Sequence, residues 1–176
     1  MVCEDDLYEL VDPKLKVHIF SKFKHYDPDE LKACLKELLK FLYLSSKYPI
    51  LSQKFIPVTQ EVDNLWHTVI LQTLSYQKLC LKLPGRKIIH HESLTFDDYK
   101  DEVPKKNLID EVLRWMVLYV RNFGDMKEDR LKYWFFLSLV KKTINISLDE
   151  LNRLAEQDTY FMINEPVQRR HVENES

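Results

Sequence analysis

The sequence predicts an all-α protein, and three observations carry that expectation. No segment sustains the two-residue alternation of apolar and polar side chains that a half-buried strand requires. Apolar residues instead recur at three- and four-residue intervals over stretches several turns long. Helix starts and stops also stand in the sequence as Asp-Pro pairs, a Pro-Gly pair and a late Gly. We expect five or six helices in a single compact domain over residues 1–163, followed by a disordered tail over 164–176.

Asp12-Pro13 opens the first predicted helix (15–23), with proline in the first turn where its missing N–H is not needed. Asp27-Pro28-Asp29-Glu30 repeats the device and adds two acids at the positive helix end. In the helix that follows (31–48), Leu31, Leu35, Leu38, Leu39 and Leu42 share one face, and Pro49 ends it. Thr59 is placed to cap a long third helix (60–83), which stops before Pro84-Gly85. Pro104 precedes a fourth (105–123), closed by Gly124. A fifth spans 126–142, and Ser147 with Glu150 forms a capping-box pattern for a sixth (148–157).

Composition narrows the function classes. The 176 residues are 45% apolar and 31% charged, enough for a continuous core without disulfides. Only two glycines occur, so phosphate-binding loops of the nucleotide-binding folds are excluded. A formal net charge of −2 argues against broad attraction to nucleic acid. Cys3, Cys34 and Cys80 lack metal-ligand or redox spacing, which fits reduced thiols in a cytoplasmic protein. The acidic start MVCEDDLYEL has no signal-peptide layout, and the densest apolar run (133–140) is too short for a membrane span.

The third helix carries the chemistry. On a helical wheel Val62, Leu65, Trp66, Val69, Ile70, Thr73, Tyr76 and Cys80 occupy one arc. Asp63 falls in line with Ile70, Leu74 and Leu81, at the edge of that arc, and His67 lies one turn further on. A carboxylate so placed needs a partner, because an unpaired buried charge is costly. An Asp and a His at i, i+4 form either a structural pair or two metal ligands from one helix. Further ligands would come from His90 and His91, just past the Pro84-Gly85 reversal, with Glu92 and Asp97 nearby. Adjacent residues in extended chain point to opposite sides, so one histidine enters the site while the other faces away.

The ordered set Asp63, Trp66, His67, Thr73, Tyr76, Cys80, Gly85, His90 and His91, within residues 57–92, resembles the glycine-rich domain-containing protein-like family. The resemblance implies that these side chains share one pocket, with Trp66, Thr73, Tyr76 and Cys80 behind the Asp/His ligands. It brings no assigned reaction.

Two functions remain open on these residues. One is a zinc or iron(II) site of Asp63, His67, His90 and His91 with an open position for hydrolysis or oxygen chemistry. The other is a non-enzymatic interaction module in which the cluster is a hydrogen-bond network. The aromatic residues Trp115, Tyr119, Tyr133, Trp134, Phe135 and Phe136 read as core or as a surface for a protein partner or a second copy, centred on the helix over 128–142.

Overall fold

The structure, a computed structural model, describes residues 1–49, 57–91, 105–135 and 146–157, with the side chains of 105–112 left undescribed. Among the described residues there are eight helices and no strand: α1 (Glu4–Glu9), α2 (Pro13–Lys22), α3 (Pro28–Lys47), α4 (Gln60–Leu71), α5 (Thr73–Lys82), α6 (Lys105–Phe123), α7 (Glu128–Leu131) and α8 (Leu148–Gln157). The helical class is as expected; the number is higher, for two local reasons, and one further helix is cut short.

The acidic start folds into α1, with Glu4, Asp5 and Asp6 in its first turn, where the helix dipole favours negative charge. The long third helix breaks at Gln72, whose ψ of 61° interrupts the hydrogen-bond ladder between α4 and α5. The fifth helix is interrupted after Leu131, where Lys132, Tyr133 and Trp134 form a turn. Residues 136–145, most of the remaining predicted span, lie outside the described residues, as does the expected tail.

Capping follows the sequence at α2 and α3. Asp12 accepts from Lys14 N at 2.8 Å, and Asp27 accepts from Asp29 N and Glu30 N, each at 3.0 Å. Thr59 does not cap α4: its hydroxyl makes no cap bond, and the segment is held instead by Thr59 N donating to Tyr133 O at 3.0 Å. Ser147 caps α8 by accepting from Glu150 N at 3.2 Å, but the return half of the box is missing because Glu150 turns to Arg153.

Helix α3 is the hub, packing against α1, α4 and α6, while α8 packs on α6, α5 on α4 and α2 on α4. All five of its predicted core leucines are buried. Trp115, Met116, Tyr119, Tyr133 and Trp134 are core residues rather than a partner surface, with Trp134 edge-on to Tyr119 at 5.4 Å between ring centroids. Phe135 is exposed. Among the described residues, no helix is long and apolar enough to cross a membrane.

Two buried charges on α3 escaped the sequence reading. Glu37 and Lys40 pair at 2.8 Å, and Lys40 also donates to Tyr119 Oη at 2.7 Å and meets Glu4 at 3.1 Å. Trp134 Nε1 donates to the other Glu37 oxygen at 2.9 Å. The group is satisfied from four elements of the chain, which is what allows it to be buried.

Candidate metal centre

The break at Gln72 builds the site's floor. In an unbroken helix Trp66 and Tyr76 would sit about 15 Å apart along the axis. The bend brings them together, and Trp66 Nε1 donates to Tyr76 Oη at 3.2 Å. Tyr76 Oη in turn donates to the backbone oxygen of Ile89 at 2.6 Å. Burial, with Cys80 beside it, holds the phenol pKa well above its usual value, so the hydroxyl stays a donor. The Cys80 thiol is raised by burial, only partly countered by the Ile89 backbone and the Tyr76 hydroxyl. It is a protonated, fully buried floor residue, unsuited to act as a nucleophile.

The same break removes Thr73 from the pocket. Thr73 begins α5 and is exposed, because the phase of the wheel restarts after Gln72. Leu74 and Leu81, which an unbroken wheel aligns with Asp63, are exposed as well.

The return segment 83–91 folds back along the helix pair through a tight turn. Gly85 N donates to Ser46 Oγ at 2.8 Å, and a Cβ at Gly85 would lie 2.5 Å from the Ser46 backbone oxygen. Only glycine permits that approach to the end of α3. Arg86 follows in the left-handed region, with φ of 49°. Ile89 is then buried and pinned by Tyr76, which delivers His91 to Asp63.

His91 Nε2 lies 2.7 Å from Asp63 Oδ1. His67 Nδ1 lies 2.9 Å from the Asp63 backbone oxygen and 3.3 Å from Oδ2. A carbonyl only accepts, so neutral His67 carries its proton on Nδ1 and keeps a lone pair on Nε2. The His91 ring stands 4.4 Å from Trp66 and 4.3 Å from His67, centroid to centroid. The Asp63 and His91 side chains are 15% and 9% exposed, while His67 is 49% exposed and opens the cluster to solvent.

Ligand atoms of Asp63, His67 and His91 all lie within 4.8 Å of one another. Among the described residues this is the one such grouping of His, Cys, Asp and Glu. His90 stands apart from it: it is exposed, on the opposite side of the extended segment from His91. Glu92 and Asp97 lie outside the described residues. No protein-family model matches the chain, and no curated protein or solved structure shows significant similarity to it.

Proposed function

We propose that this protein binds one divalent cation, zinc or iron(II), through Asp63, His67 and His91. The convergence of two imidazoles and one carboxylate within 4.8 Å supports the reading most directly. Neutral imidazole with carboxylate is a donor set that zinc and iron(II) accept, and three protein ligands leave a position open. The exposure of His67 leaves the cluster open to solvent, and a cation held there would supply hydrolysis or oxygen chemistry on a small substrate. Backbone fixation of a ligating histidine through its other ring nitrogen is common at metal sites, and the Asp63 carbonyl suits that task for His67. On the ordered residues from Asp63 to His91 we extend the proposal to a cytoplasmic relative of the glycine-rich domain-containing protein-like family. Elemental analysis of the purified protein and of His67→Ala and His91→Ala tests it: stoichiometric metal that disappears in both variants is the expected result.

One observation favours a second reading. The 2.7 Å His91–Asp63 separation is a hydrogen-bond distance. Two tetrahedral zinc ligands at about 2.05 Å from the ion stand about 3.3 Å apart. In an interaction module the cluster would instead lock the return segment to α4. Well-folded protein that takes up no metal decides for this alternative.

A further inference from the structure

A second concave site lies where the start of the chain, α3, α6 and the turn into α7 meet. Its volume is about 400 Å³, within the range of small-molecule pockets. It shares no residue with the Asp63 cluster.

The inner wall is electrostatically closed. Lys40 is held by Glu37, Glu4 and Tyr119, and Glu4 also holds Lys36 at 2.9 Å, so these groups satisfy one another. Arg130 is different. Its Nε reaches the exposed carboxylate of Asp129 at 3.3 Å, but its Nη1 is buried without a hydrogen-bond partner. A buried guanidinium N–H without an acceptor is uncommon in folded proteins and calls for one. Lys127, exposed on the same wall, adds a second cation. With Lys40 and Glu4 neutralising each other, Lys127 and Arg130 are the remaining cations of the lining, beside Asp125 and with Asp129 on the Arg130 Nε. Phe123 supplies an apolar surface beside them.

We propose that this cavity binds a small organic oxoanion, its carboxylate or phosphate head on Arg130 and Lys127 and its apolar body along Phe123. A planar guanidinium beside an ammonium is a common way to hold either head group, and a shift of the Arg130 side chain towards the cavity would give its buried Nη1 an acceptor as well. Lys40 and Tyr119 act beneath it as a rigid polar floor.

The test is calorimetric and thermal-shift titration of the full chain with inorganic phosphate, phenyl phosphate and benzoate, at ionic strength matched with sodium chloride. Saturable binding of phenyl phosphate or benzoate is expected, and the tighter of the two identifies the head group. Arg130→Gln and Lys127→Gln should each weaken it at least tenfold. Lys127 is exposed, so its variant keeps the test valid if Arg130→Gln fails to fold. His67→Ala should leave binding unchanged, which separates this site from the proposed metal centre. Absence of saturable binding, equal affinity in Lys127→Gln, or loss in His67→Ala overturns the proposal.

Discussion

His91 Nε2 meets Asp63 Oδ1 at 2.7 Å across 28 residues of chain, with both side chains largely withdrawn from solvent. That contact ties the return segment to α4 and makes the Asp63 carboxylate the centre of the cluster. A charge-assisted hydrogen bond in such a setting contributes about 2 kcal/mol. Asp63→Ala in metal-free protein should therefore lose about 2 kcal/mol in urea unfolding. A change within error would mean that the contact holds nothing.

Tyr76 acts on the site from beneath. Tyr76→Phe leaves the Ile89 carbonyl and the Trp66 indole N–H without their partner, at a cost of about 1–3 kcal/mol. Because His91 lies two residues beyond Ile89, metal affinity should fall as well while far-UV circular dichroism keeps its helical signature. Unchanged affinity in a destabilised variant would limit Tyr76 to the core.

Gly85→Ala should be more damaging than its size suggests. The new methyl group meets a backbone oxygen of α3, which cannot rotate away, and overpacking of that kind costs about 1–3 kcal/mol. Ser46→Ala removes the acceptor of Gly85 N–H without a clash and should cost about 1 kcal/mol. Thermal melts of the pair check the order.

Acid stability should depend on Glu4. Burial opposes its ionisation, yet Lys36 and Lys40 outweigh that and hold the carboxyl down at about 2, below the ordinary 4.5. A depressed carboxylate contributes its full stability above 4.5 and loses it as pH falls towards 2. The melting temperature of Glu4→Gln relative to wild type should be lowest above pH 4.5, and the gap should close between 4.5 and 2. A gap independent of pH would contradict the ion-pair account.

The Asp-Pro starts and the leucine face of α3 were legible because their causes are local: a cap, a fixed φ and a 3.6-residue period. Asp63 stood out as an acid out of phase, and the His-His pair past a turn marked its partner. The break at Gln72 carries no Pro or Gly, so no residue type in the sequence marks it. Thr73 was misplaced for that reason. Nothing local in the sequence marks Lys40 and Glu37 for burial, since Glu4 of α1 and Trp134 meet them from far along the chain. Which of His90 and His91 turns inward depends on Tyr76 gripping Ile89, a contact that spacing alone does not reveal.

The central claim is that Asp63, His67 and His91 hold one cation, and titration of metal-free protein with zinc, followed by calorimetry, tests it most directly. One equivalent should bind wild type and His90→Ala alike, while His67→Ala and His91→Ala lose at least tenfold in affinity. No binding to folded wild type, or equal binding in His91→Ala, would contradict it.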